Sequence, residues 1–557
     1  MWIDACCEKV SAFFSSPRNV LILGCLIGVF CTLLLLIVSP VYYRDSVVYV
    51  SMTNAFRYGD WFHAFNLSMS PLLSTLAGIF AWIGLPALEA TMLLSSIFYI
   101  LTIFPLFGLF SFFMERKYAA WGALLFLLMP RVLRYGAAPL LDSGRWLFFS
   151  LSLYLIFSFV REKNFRTLLW LGCSFAALCL VRSEGIVYVG ILFVTWALLL
   201  LHRVSWVISR KVVGHFLCSC FLVAGFCFLI CLPRLMHLYA ETGYFSLDTR
   251  QTWAIRGIVY QVEKIFGDRP PVMNSNETSV TSYGNINDFN YAWIFDSKFE
   301  RRFWKNLING CFPLYLVFSI LGIIIIARRK EWTINHSIML FLLVVNAVAF
   351  FLMRSSAGRY FYINAVFLMP FTIGGLLFVW EWVEKVPRKF HVNALMMLLL
   401  LVAAILQLIN GLDNIFSSKN DYFQYYGEKL AKWQNGKQPR SGTRRITLLT
   451  IGDEYGWGIY AGANSFAYAS RNINKNWTME DIVKNGLPSN LANFVNENLA
   501  GYKTLLPDVI VVGDIKSVSP ELIERIRHIP GVKEFSFPDS SFSKKALFFS
   551  LNQGDKK

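Results

Sequence analysis

Charge is what this chain has least of: Asp, Glu, Lys and Arg make up 16% of its 557 residues, against 56% hydrophobic. A soluble globule carries about 25% charged residues, so water does not solvate most of this chain. Cysteines placed for an extracellular disulfide framework are also missing. Of the eleven, Cys6 and Cys7 precede the first apolar run, and the other nine, Cys25 to Cys311, lie in or beside apolar segments. No CxxC or Cys/His spacing argues for zinc. GxGxxG and P-loop spacings are absent, which removes the usual nucleotide signatures. No AxA-type site follows the first apolar run, which is too long for a signal-peptide core and reads as an anchor.

What the chain has instead is long apolar runs. A helix of roughly 20 apolar residues crosses the hydrocarbon core. Such runs extend over Asn19 to Val38, Leu88 to Phe113, Val212 to Leu232, Leu307 to Ala327 and Tyr360 to Trp380. Shorter or interrupted ones cover Tyr118 to Leu133, Asp142 to Val160, Thr167 to Val181, Ile186 to Leu201, Ile338 to Met353 and Val392 to Ile409. The expectation is a polytopic α-helical membrane protein with about 11 transmembrane helices. A net charge of +17 would suggest nucleic acid as partner of a soluble chain. Here the charge gathers in short loops at Arg116-Lys117, Arg161 to Arg166, Arg203 to Lys211, Arg328 to Lys330 and Lys385 to Lys389, which is the bias of cytoplasmic loops. Membrane lipids, not nucleic acid, are the expected surroundings.

Sidedness turns on Pro71 to Leu85, apolar but short and carrying Gly78 and Gly84. If it crossed, the basic loops would fall outside, against the positive-inside rule. It therefore reads as re-entrant or interfacial. The N-terminus is then cytoplasmic, and Pro40 to Ser70, Arg134 to Leu141, Arg182 to Gly185, Pro233 to Asn306, Arg354 to Arg359 and everything from Gly411 are external. Residues 1–410 form the membrane region and 411–557 a soluble extracytoplasmic domain. In that tail ITLLTIGDE, PDVIVVGD and ALFFSL read as strands, and Ser519-Pro520-Glu521 opens a helix that Pro530-Gly531 ends. The tail is a small α/β domain, read as a cap or acceptor-binding module. The external loop from Pro233 to Asn306 carries Trp253, Tyr260, Tyr283, Tyr291, Trp293 and Trp304. These rings suit sugar stacking or an interfacial belt.

The candidate chemistry lies on that outer side. Asp45 precedes a stretch compatible with an interfacial helix, Ser46 to Tyr58, and is either a general base or the helix N-cap. Asp142 starts the fourth transmembrane helix and invites the same two readings, with capping favoured. Arg182 and Glu184 break two apolar stretches, as a functional pair or a structural ion pair. Arg44, Arg57, Arg131, Arg134, Arg182, Arg354 and Arg359 gather at an outer surface where topology gives no reason for cations. Guanidinium forks there suit phosphate; for Arg354 and Arg359 snorkelling is the alternative.

Taken together, these residues resemble the GT-C glycosyltransferases that use polyprenyl-phosphate sugars, particularly the protein O-mannosyltransferase and lipid A aminoarabinose transferase superfamily. The matching features are Asp45, Tyr49, Gly59-Asp60-Trp61 and Pro71-Leu72 in the first external loop, then Pro130 to Asp142, then ALCLVRSEG, then RSSAGRYFYINAVFLMP. Two departures stand out: the family's frequent Asp-Glu pair is Asp45-Ser46 here, and the lysine often found before Pro-Leu is replaced by Met69-Ser70.

The resemblance implies transfer of one sugar from a polyprenyl-phosphate carrier to a hydroxyl or amine on a lipid, glycan or protein acceptor, with inversion, at the outer face of what would be a bacterial inner membrane. Asp45 would be the base, and Arg44, Tyr49, Asp60, Arg131, Arg134, Asp142, Arg182, Glu184, Arg354, Arg359 and Tyr360 would bind substrate. The resemblance fixes no cofactor and leaves room for a divalent metal. The competing readings are a lipid-linked saccharide flippase or transporter, and a glycan polymerase or ligase. Against the former, no internal repeat is visible and the charges gather at one surface.

Overall fold

The computed structural model describes residues 12–38, 44–65, 69–182, 184–205, 209–243, 245–248, 297–352, 358–384 and 392–416, and, in the tail, 426–427, 429–433, 447–451, 464–468, 483, 487–488, 504–505, 507–512, 519–537 and 546–551. The bundle is built from α1 (Pro17–Val38), α2 (Arg44–Arg57), α3 (Trp61–Ala64), α4 (Leu72–Trp82), α5 (Ala87–Leu101), α6 (Ile103–Phe110), α7 (Arg116–Leu127), α8 (Pro130–Gly136), α9 (Asp142–Glu162), α10 (Phe165–Val181), α11 (Gly185–Arg203), α12 (Arg210–Thr242), α13 (Ser297–Gly310), α14 (Pro313–Arg328), α15 (Ile334–Leu352), α16 (Asn364–Glu384) and α17 (Val392–Phe416). A 3₁₀ turn, Gly358–Phe361, leads into α16.

Among the described residues six helices are long and apolar enough to cross a membrane, and a seventh span results if the bent pair α13 and α14 counts as one. The protein is thus a multi-pass helical membrane protein. All eleven stretches expected from the sequence overlap helices; Leu88 to Phe113 is divided at Thr102 into α5 and α6, which still form one span, and two others are interrupted. Tyr118 to Leu133 breaks between α7 and α8, where Met129 takes an extended ψ of 127° ahead of Pro130, as a residue before proline must. Leu307 to Ala327 breaks at Phe312, in a left-handed conformation before Pro313, and the helices either side differ in direction by 75°. A third correction concerns the loop expected to begin at Pro233: α12 runs through that proline to Thr242. Its 33 residues extend about 50 Å, well beyond the hydrocarbon thickness.

Pro71 to Leu85 contains α4, only 11 residues long. At 1.5 Å per residue it reaches about 16 Å, half of what a crossing needs. It packs on α2, and a Cβ at Gly78 would stand 2.5 Å from the Phe56 ring, so only glycine lets the two helices approach this closely. α14 and α16 meet in the same way. A Cβ on Gly322 would stand 2.0 Å from the Phe371 carbonyl oxygen, and one on Gly375 would stand 2.1 Å from that of Phe318. Ser319 and Thr372 share a hydrogen bond of 2.8 Å across the contact. Small residues and buried hydroxyls are how helices adhere where lipid removes the hydrophobic incentive.

The tail holds a five-stranded sheet in the order β2-β1-β5-β7-β6: β1 (Thr447–Ile451), β2 (Asn464–Tyr468), β5 (Val509–Val512), β6 (Val532–Phe535) and β7 (Leu547–Leu551). Strands β3 (Leu487–Pro488) and β4 (Thr504–Leu505) form a separate pair. β1 runs parallel to β2 and β5, whereas β7 is antiparallel to β5 and β6. The three strands expected from sequence are β1, β5 and β7, the buried middle of the sheet. Helix α18 (Pro520–Arg527) starts as expected, with the Ser519 hydroxyl accepting from the Leu522 amide at 3.3 Å. The sheet packs on the bundle: Ala55 of α2 and Ala64 of α3 share a buried cluster with Leu449, Ile510, Ile526 and Phe549.

Candidate active site

Four helix ends converge on one cluster of charge: the start of α2, the start of α9, the junction of α10 with α11, and the 3₁₀ turn before α16. Helix ends suit this purpose because their unsatisfied backbone groups and short connections leave side chains free to converge. Asp45 lies inside the first turn of α2 rather than ahead of it. Its carboxylate accepts from Arg359 Nη2 at 2.5 Å. Arg359 Nη1 stands 4.0 Å from Asp142 Oδ2, so the guanidinium bridges two acids.

Asp142 is fully buried and does not cap α9, contrary to the expectation. Leu141 holds the cap position, with no side-chain hydrogen bond there. The Asp142 carboxylate instead accepts from Arg145 at 3.0 Å and from Arg182 at 3.4 Å. A buried carboxylate needs cations more than a helix end needs a carboxylate. Arg182 also pairs with Glu184 at 3.2 Å, so the structural ion pair exists, as one limb of the larger network. Beneath the cluster lies the Tyr360 ring, with the Arg182, Arg145 and Arg359 guanidinium carbons 4.7, 5.6 and 5.8 Å from its centroid. Cations over an aromatic face gain from its quadrupole.

Arg145 was not anticipated from sequence. It is 1% exposed, donates to Asp142, and donates to the Arg359 backbone carbonyl at 2.7 Å. It thereby ties the 3₁₀ turn to α9 and fixes where the Arg359 side chain begins. Its signal in the sequence was spacing: an arginine three residues after an aspartate at the head of an apolar helix, where both share a face.

The remaining predicted residues divide. Tyr49 is buried on α2 and electrostatically coupled to Arg182. Asp60 is buried where α2 gives way to α3, and its carbonyl accepts from the Ala64 amide. Arg131 donates to the Tyr362 hydroxyl at 3.5 Å, beside the cluster rather than in it. Arg134 is half-buried in the last turn of α8. Arg354 and the Arg44 side chain lie outside the described residues, as do Tyr260, Tyr283, Trp253, Tyr291 and Trp293 of the long loop.

Burial opposes the charges on Arg359 and Arg182, yet the surrounding groups overcome it. Asp142 and Asp45 raise the pKa of Arg359 above its ordinary value, and Glu184, Tyr360 and Asp142 do the same for Arg182. Both guanidiniums stay ionised at any working pH. Among the described residues Asp45, Asp142 and Glu184 face Arg145, Arg182 and Arg359, three formal charges of each sign. Among the described residues no group of three His, Cys, Asp or Glu could hold a metal ion. Asp45 engages Arg359, and Asp142 engages Arg145 and Arg182 through Oδ1.

No protein-family profile matches the chain, and no curated protein matches it in sequence. Solved structures do match in shape. ArnT from Cupriavidus metallidurans, seen bound to undecaprenyl phosphate, superposes with a TM-score of 0.56 over 95% of this chain and 97% of its own, at 11% identity. The Archaeoglobus fulgidus oligosaccharyltransferase AglB, seen with an inhibitory peptide and a dolichol-phosphate, gives 0.53 over 90% and 69%, at 14% identity. The fold is that of the GT-C glycosyltransferases. The same oligosaccharyltransferase with zinc and sulfate gives 0.52 at 15% identity. These likenesses concern the fold alone, and the chemistry rests on the residues just described.

Proposed function

We propose that this protein transfers a single sugar from a polyprenyl-phosphate carrier to a hydroxyl or amine of a lipid, glycan or protein acceptor, with inversion at the anomeric carbon. The observation that carries the reading is the Asp45–Arg359 contact on the accessible side of an ion cluster built around the buried Asp142, in a fold shared with proteins seen holding polyprenyl phosphates. Asp45, Arg359 and Glu184 are its partly accessible members, with side chains 25%, 20% and 20% accessible, whereas Asp142 and Arg145 are sealed beneath.

In the proposed reaction the donor phosphate occupies Arg359, which Asp45 holds in the absence of donor. The cluster then gains negative charge, which raises the proton affinity of Asp45 and makes it a better base. The acceptor oxygen or nitrogen attacks the anomeric carbon from the face opposite the phosphate. The bond from that carbon to the phosphate oxygen breaks, its electron pair leaves with the polyprenyl phosphate, and the acceptor proton passes to Asp45. The phosphate is already a stable anion, so Arg359 needs to neutralise it rather than protonate it. Asp142, Arg145, Arg182 and Glu184 hold Arg359 in place, and Tyr360 forms the floor.

In this reading the cluster lies on the extracytoplasmic side of a bacterial inner membrane, a sidedness the basic loops support by the positive-inside rule, with residues 1–410 as the catalytic membrane region of about 11 crossings and 411–557 as the external domain. The packing of the sheet against α2 supports one shared side for tail and cluster. The decisive experiment supplies purified protein with a panel of polyprenyl-phosphate sugars and compares wild type with Asp45→Asn. Turnover of a monosaccharide donor that Asp45→Asn abolishes is expected. Transfer by the mutant at the wild-type rate would remove Asp45 as base. Turnover of pyrophosphate-linked oligosaccharides alone would shift the reading to a ligase, and no turnover of any donor would shift it to a transporter.

A further inference from the structure

The other ends of α9, α10 and α11 enclose a site of a different kind. α9 runs from Asp142 in the cluster to Glu162, and its 21 residues span about 30 Å, the thickness of the hydrocarbon core. α10 ends and α11 begins at the Arg182–Glu184 junction, so Phe165 and Arg203, at their opposite ends, lie with Glu162 at the far interface. There, with the first turns of α12, these helices surround a cavity of about 510 Å³. Lys163, Arg203 and His215 are its ionisable lining, Phe159, Leu168 and Phe216 are among its apolar walls, and no carboxylate lines it among the described residues. Lys163 is placed by the left-handed turn that ends α9, with φ of 52°.

Two further observations define the shape. α10 and α12 close together two turns deeper, where a Cβ on Gly172 would stand 2.8 Å from Phe226 Cβ. The cavity is therefore a wedge, wide and basic at the interface and closed toward the bilayer centre. An adjoining cavity of about 290 Å³ shares Arg203, adds Arg161, and again lacks a carboxylate.

We propose that this wedge binds an anionic phospholipid of the leaflet opposite the Asp45 cluster, its phosphate on Lys163, Arg203 and His215 and the upper part of an acyl chain along Phe159, Leu168 and Phe216. Basic pockets between transmembrane helices attract anionic headgroups, and each Lys or Arg near the surface strengthens the attraction. A zwitterionic headgroup would bring its own cation against Lys163, Arg203 and His215, with Glu162 at the interface but not in the lining. A plain annular contact would not need a recess closed by converging helices. The site is independent of the transfer reaction and stands or falls without it.

The test is native mass spectrometry of the purified full chain titrated with phosphatidylglycerol and with phosphatidylcholine. Wild type should prefer phosphatidylglycerol by at least about tenfold in apparent Kd. Lys163→Gln/Arg203→Gln should reduce that preference to about twofold or less, while Arg328→Gln, on the exposed end of another helix, should keep it. Equal binding of both lipids by wild type, or a preference surviving in the double variant, would overturn the proposal. So would undecaprenyl phosphate displacing phosphatidylglycerol at lower concentration, since the wedge would then serve the carrier. If the double variant unfolds in detergent, His215→Gln carries the same comparison, with a partial loss of preference expected and an unchanged preference counting against the site.

Discussion

α9, α10 and α11 carry arginines at both ends, and the two ends treat them oppositely. At the cluster, Arg145 and Arg182 are buried and matched to Asp142 and Glu184. At the far end Arg161 and Arg203 are exposed and rim apolar cavities without acids. A topological arginine needs only water and lipid headgroups, so it sits at the rim. A buried one must be paired, and retaining it against that requirement marks a site. The same residue type thus means different things a membrane thickness apart, and burial with a carboxylate partner is what tells them apart.

The comparison is most exposed at the cluster. Asp45→Asn should lower transfer by about 10²–10⁴-fold while donor binding persists, as loss of a general base does; a filter-binding assay beside the rate assay checks both. Removing a buried cation should strike stability instead. Arg145→Met takes from Asp142 its shortest cation contact, leaving Arg182 and Arg359 beside it, and releases the 3₁₀ turn, and a loss of about 3 kcal/mol is expected from thermal or denaturant unfolding in detergent. Arg359→Ala should cost about 10²–10³-fold in rate, more in kcat than in KM if it acts on developing charge. Gly322→Ala forces a methyl against the Phe371 carbonyl where α14 meets α16, and should cost about 1–3 kcal/mol. At the far end Arg203→Gln should change stability by no more than about 0.5 kcal/mol. A large effect there would erase the distinction between the two ends.

Most of the cluster could be read from the chain because ionisable residues at the ends of apolar runs are conspicuous. Asp45, Asp142, Arg182, Glu184, Arg359 and Tyr360 were all anticipated, and they meet in space. Arg145 escaped because it sits within an apolar helix, where hydropathy averages it away. The role of Asp142 was misjudged because N-capping is a local rule, while its three guanidinium neighbours come from three different segments. Helix interruptions at Pro130 and Phe312 were missed since hydropathy does not register a change of direction. In the tail, β1, β5 and β7 are buried and apolar, and so legible. The edge strands β2 and β6 are NSFAY and VKEF, whose polar and charged residues protect an open edge and disguise the strand.

The buried contact of Ala55 and Ala64 with Leu449, Ile510 and Phe549 gives α2 two masters. One end of this 14-residue helix presents Asp45 to the bundle, and the other is a wall of the tail's own interior. The tail and the Asp45 cluster are therefore linked through α2. Truncating or loosening the sheet would uncover α2 and slacken Asp45, so lost activity in such a variant would report on anchorage and say nothing about chemistry in the tail.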